Sequence, residues 1–105
     1  MDFLGLIREA GRKKIIYTFH APEEMNTEKV MISTAEVRQV IYRGRIIEDY
    51  PEDKRGHSAL LLGWPETGRP IHVVCAPRED FLAIVTAYVP SLDKWENDFK
   101  TRRQR

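Results

Sequence analysis

The stretch Arg69-Pro-Ile-His-Val-Val-Cys-Ala-Pro-Arg-Glu-Asp-Phe-Leu-Ala-Ile-Val-Thr-Ala-Tyr88 decides the fold. It contains two runs rich in Val, Ile and Ala, each of strand length, on either side of the turn-like tetrapeptide Pro77-Arg-Glu-Asp80, so it reads as a β-hairpin. Both runs are apolar on both faces, the pattern of strands in the middle of a covered sheet. His72, Thr86 and Tyr88 interrupt that pattern. A polar group on a central strand needs a partner or a purpose, so candidate chemistry is sought there first. The register of the hairpin sets the neighbours of His72. A two-residue turn puts it opposite Val85, and a three-residue loop puts it opposite Thr86 on the side of Ile84 and Tyr88.

Outward from the hairpin, Arg45–Tyr50 and His57–Gly63 read as two more strands, separated by Pro51 and the charged turn Glu52-Asp-Lys-Arg-Gly56,. Upstream, Ser33 and Glu36 have the spacing of a capping box, with Ile32 and Val37 at the positions of a hydrophobic staple,. A helix therefore starts at Ser33, buries Val37, Val40 and Ile41, and stops at Gly44, expected as a left-handed terminal residue. Phe3, Leu6, Ile7 and Ala10 predict an amphipathic helix over residues 2–12. Residues 15–19 suit a short strand at a sheet edge, and Pro22, Glu23 and Glu24 a brief second helix. Downstream, Ser91 as cap and Leu92, Trp95 and Phe99 on one face predict a C-terminal helix, followed by a basic tail over residues 100–105. The expected fold is one α+β domain over 1–105: N-terminal helices, then a four-stranded antiparallel meander sheet, then a C-terminal helix, with the helices on one face.

At 105 residues the chain has room for one core only,. A net charge of +1 gives no global positive field for nucleic acid, so any such binding must come from a local patch,. The single cysteine, Cys75, excludes an internal disulfide and a multi-cysteine metal site, and in an apolar strand it reads as an inert buried thiol,. The three histidines lie far apart and not at ligand spacing, so neither a metal nor a cofactor is expected,. No apolar run reaches membrane-spanning length and no signal-peptide pattern is seen at residues 1–9; a cytoplasmic location is expected,.

Ile46-Ile-Glu-Asp-Tyr-Pro51, Arg69-Pro-Ile-His-Val-Val74, Ile84-Val-Thr-Ala-Tyr88 and the closing Pro90 with Trp95, together with His20-Ala21 upstream, resemble a family of small prokaryotic domains of unknown function related to the BrnT and RelE-like toxins of toxin-antitoxin systems. The resemblance covers roughly residues 18–95. It implies a RelE/barnase-like fold, a toxin role, a metal-independent endoribonuclease acting on RNA, and a cognate antitoxin of zinc-finger type as partner. RNA cleavage without metal needs a base, an acid and cations for the phosphate. On that reading His72 is base or acid, Tyr88 an orienting group, and His20 a further catalytic candidate. Arg43, Arg45 and Arg78 are the phosphate ligands. The competing reading keeps the fold as a non-catalytic module that binds a protein partner or nucleic acid. In it, His72 bonds a buried carbonyl or Tyr88 and only stabilises the sheet. Trp64, in a loop, is available to a partner in either case.

Overall fold

A computed structural model describes residues 1–18, 21–26 and 31–104. The chain runs α1 (Phe3–Lys13), β1 (Ile15–Tyr17), α2 (Ala21–Met25), α3 (Thr34–Arg43), β2 (Arg45–Tyr50), β3 (Ser58–Gly63), β4 (Ile71–Pro77) and β5 (Leu82–Tyr88). The strands form one five-stranded sheet in the order β1-β5-β4-β3-β2. β2 to β5 pair antiparallel in succession, while β1 pairs with β5 in parallel, Ile15 opposite Leu82 and Tyr17 opposite Ile84.

This α+β architecture corrects the expected four-stranded antiparallel meander: the sheet is mixed and has a fifth strand. β1 leaves α1 already beside the turn that starts β5, where the Leu82 amide donates to the Lys14 carbonyl and the Thr18 amide to that of Ile84. It therefore runs alongside β5 in the same direction and covers its free edge.

The expected C-terminal helix is also absent. Ser91 opens a single turn, accepting at its carbonyl from the Lys94 and Trp95 amides. The chain then doubles back, with Trp95 bridged to Arg102 and the Glu96 amide donating to the Thr101 carbonyl. Asp98 explains the reversal. Its carboxylate accepts from the amides of Lys100 and Thr101, both at 3.0 Å, and from the Thr101 hydroxyl at 2.8 Å. Such local side-chain bonding competes with helix. Phe99 beside it adopts a φ of 58°, outside the helical region,. The expected free basic tail is tied down as well, because Arg102 bonds to Glu48 of β2 and Arg103 to Glu96 within the C-terminal turn.

The capping box at α3 is present, with the Glu36 amide donating to Ser33 Oγ at 3.1 Å and the Ser33 amide to Glu36 Oε1 at 3.0 Å. Gly44 is not left-handed; its backbone is extended, at φ −82° and ψ −171°. Glycine is needed there for space, since a Cβ would lie 2.5 Å from the carbonyl oxygens of Leu62 and Val40. Arg8 of α1 donates to the carbonyls of Ile41 and Gly44 at 2.9 and 3.0 Å and so ties α1 to the end of α3,.

Alternation gives the sheet two different faces. Ala59, Leu61, Ile71, Val73, Cys75, Leu82, Ile84 and Ala87 join Ile7, Val37, Val40 and Ile41 in the main core under the helices. Leu60, Leu62, His72, Val74, Thr86 and Tyr88 belong to the opposite face. The C-terminal turn, not a helix, covers that face around His72.

Candidate functional site: the face under the C-terminal turn

A bulge creates this site. The hairpin closes on the Arg78 amide and Phe81 carbonyl, and Pro77, Ala76 and Cys75 pair with Leu82, Ala83 and Ile84. Val85 is the extra residue, after which Val74 faces Thr86 and His72 faces Tyr88,. Neither turn considered for the sequence gives this register. The turn is longer than either, and the bulge adds one more step. Across the sheet the row is Arg45, Leu62, His72, Tyr88.

His72 is 0% exposed. Its Nε2 lies 2.6 Å from the Phe99 carbonyl oxygen and its Nδ1 3.1 Å from the Tyr88 hydroxyl. A carbonyl can only accept, so Nε2 carries the proton, and burial lowers the pKa of the ring and keeps it neutral,. Nδ1 is thus left to accept from the Tyr88 hydroxyl. The ring also meets Trp95 edge to face, centroids 4.5 Å apart,. His72 has neither an unused nitrogen nor access to solvent, both of which a general base requires. It holds the C-terminal turn on the sheet.

A second set of contacts closes the turn. Arg102 Nε and Nη2 donate to the two Glu48 oxygens, each at 2.8 Å, while its guanidinium lies 4.6 Å from the Trp95 ring centroid,. Tyr50 donates to the same carboxylate. These bonds lower the Glu48 pKa, the Arg102 contact contributing most. Burial, followed by the Glu48 bond, pushes the Tyr50 phenol up to about 12. Glu48 and Tyr50 stand two apart on β2, opposite Leu60 and Ser58. That i, i+2 spacing was the available sequence signal for this cluster, which the sequence reading did not assign to the site.

Two hollows open on this face. A cleft of about 480 Å³ is lined by Glu24, Thr86, Tyr88, Lys94, Trp95 and Arg102 among others. A shallower one of about 340 Å³ is formed by Arg43, Gly44, Arg45, Leu62, Gly63 and Trp64. Trp64 is 52% exposed and meets Phe99 edge to face at 6.3 Å. Arg43 makes one exposed ion pair, with Glu66 at 3.6 Å.

The site candidates therefore divide. His72 and Tyr88 are brought together, as are Arg43 and Arg45 beside Trp64. Arg78 lies just past the other end of β4, about 20 Å from His72 at the rise of a strand,. Its guanidinium donates to the carbonyls of Pro77 and Arg55, beside a separate hollow of about 430 Å³ that includes Phe3, Lys13 and His57. His20 lies outside the described residues. Among the described residues no group of three His, Cys, Asp or Glu side chains is placed to hold a metal ion, and no helix is long and apolar enough to cross a membrane.

No curated protein and no solved structure matches the chain. A family profile does match, described as a domain of unknown function, over residues 17–89. That match spans both hollows' strands, the His72–Tyr88 pair and α3, and the chain belongs to this family, DUF4258.

Proposed function

We propose that this chain is an RNA-binding module that holds single-stranded RNA without using His72 for cleavage. The observation that carries the reading is Trp64, half exposed and sharing one hollow with Arg43 and Arg45. An exposed aromatic ring flanked by cations suits a base stacked on the ring and its phosphates on the guanidiniums, and stacking tolerates any base. A net charge of +1 fits a contact limited to such a patch,. The bonded state of both His72 nitrogens favours binding over the endoribonuclease implied by the likeness to BrnT and RelE-like toxins. The toxin role, with an antitoxin as partner, is retained only as the setting in which such an RNA contact would operate.

Fluorescence tests the reading, because Trp95 is buried and Trp64 alone meets solvent. Oligouridylate at low salt should quench Trp64, and Arg43→Ala with Arg45→Ala should weaken the quench at least about tenfold, the loss of two phosphate contacts. No quench in the wild-type protein overturns the proposal. End-labelled RNA incubated with chelator tests the toxin-like alternative. Cleavage that survives chelator and is lost in Tyr88→Phe would replace binding with catalysis.

A further inference from the structure

The geometry points to a guanine-selective base site in the Tyr88 cleft, where Tyr88 Oη and the Glu24 carboxylate both accept hydrogen bonds from the ligand. It rests on the RNA reading for the source of the base, and its chemistry is carried by a different hollow.

The argument starts from a single proton. The Phe99 carbonyl, 2.6 Å from His72 Nε2, fixes the tautomer, and a neutral ring then has only a lone pair at Nδ1,. The Tyr88 hydroxyl, 3.1 Å away, commits its one hydrogen to that lone pair. What Tyr88 turns toward the cleft is therefore oxygen alone, an acceptor. Across the same cleft Glu24 offers a carboxylate, also acceptor only,. Arg102, which could otherwise answer them, is held bidentate on Glu48. The Tyr88 ring supplies a wall against which a planar base can lie,.

A ligand for this cleft must be flat and must present donors side by side. Among the four RNA bases only guanine does so on its Watson–Crick edge, through the ring imino N–H and the adjacent exocyclic amino group. Adenine sets one amino donor beside one acceptor, cytosine one amino donor beside two acceptors, and uracil its single N–H between two carbonyls. Guanine fits the fork of a carboxylate bidentately, and Lys94 on the rim is the cation for its phosphate,. By register, Tyr88 and Arg45 end the same row across four strands, about 14 Å apart at the usual strand spacing,. One single strand passing over the C-terminal turn can thus reach both hollows, stacked on Trp64 and read at Tyr88.

The test is a titration of the isotope-labelled full chain with guanosine, inosine, adenosine and uridine monophosphates. Guanosine monophosphate should shift the amides of Thr86, Tyr88 and Lys94 and bind at least about tenfold tighter than the inosine nucleotide, which lacks the amino group, and than the other two. Glu24→Gln should bring guanosine down to the inosine level, in a protein whose remaining amide spectrum is unchanged. Tyr88→Phe should do the same from the other side of the cleft. Equal shifts from all four nucleotides, or none from any, overturn the inference. The Trp64 quench by oligouridylate separates the two proposals. Quench without guanine preference removes the base site alone, and guanine preference without quench removes the RNA surface alone.

Discussion

Glu36 is a carboxylate only 4% exposed, and both of its oxygens are occupied: Arg69 donates to them at 3.0 and 2.9 Å, Thr67 at 2.6 Å, and the Ser33 amide at 3.0 Å. The bond from Arg69 is the largest cause of a pKa lowered from 4.5 to about 2. A carboxylate depressed in the folded state contributes stability that is complete above its ordinary value and is lost as the pH falls through the folded value. Glu36→Gln should therefore flatten the loss of stability between pH 4.5 and about 2, measured by urea unfolding at each pH,. Glu36→Ala removes the carboxylate that Arg69, Thr67 and the Ser33 amide share, and with it one half of the capping box, and should cost about 3 kcal/mol,. His72 depends on pH in the same direction through a different cause, since burial holds its pKa below 6.5. The neutral ring stabilises the fold fully above that value, and the contribution declines as the pH drops below it. His72→Gln should remove the part of the thermal-stability loss that sets in below pH 6.5, and His72→Ala should cost about 2–4 kcal/mol at neutral pH by leaving a cavity and an unpaired Phe99 carbonyl,.

Elements meet in this fold at positions where one atom decides. Between α3 and β2, Gly44 is fixed by the carbonyls of Leu62 and Val40, so Gly44→Ala must move backbone and should cost about 2–3 kcal/mol,. Gly68 is the contrasting case: its φ is 86° but nothing lies within 4 Å of a new Cβ, and Gly68→Ala should cost about 1 kcal/mol of backbone strain alone,. Chemical denaturation of the two variants side by side checks the difference. The same elements show what the sequence could tell. Ser33 and Glu36 announced α3 because a capping box is complete within four residues. The apolar runs on either side of Pro77 announced β4 and β5 because burial on both faces is written in composition. The Val85 bulge had no such mark, and with it the pairing of His72 with Tyr88 was hidden. The parallel partner of β1 lies more than sixty residues away and is chosen by the whole sheet, as the pairing of Ile15 with Leu82 shows,. At the C-terminus the spacing of Leu92, Trp95 and Phe99 suggested a helix, but Asp98 made a stronger local claim on the backbone. Leu92 ends 51% exposed while Trp95 is buried.

Over the whole molecule, charge is balanced in number and uneven in place. With a net charge of +1, long-range attraction contributes little to RNA binding, so the salt dependence should report the phosphates actually touched,. Two arginines beside Trp64, each neutralising one phosphate of a single strand, give a slope of log affinity against log salt of about −1.4, at about −0.7 for each contact. Arg43→Ala and Arg45→Ala should each flatten it by about half, and the double variant should bring it near zero while stacking on Trp64 keeps a residual, salt-independent affinity. A steeper slope that the double variant leaves unchanged would put the phosphates on another face. Arg102 and Arg103 are poorer candidates than Arg43, whose exposed pair with Glu66 is long at 3.6 Å, because they are held at 2.8 Å by Glu48 and Glu96 respectively. An RNA drawing on them would have to break the bonds that hold the C-terminal turn over His72. Binding would then be coupled to opening of that turn, visible as faster exchange of the Arg103 amide, which bonds the Lys94 carbonyl at 2.9 Å,. Protection that is unchanged on binding, together with a slope set by Arg43 and Arg45, is the outcome expected of a rigid face whose cations are laid out before the ligand arrives.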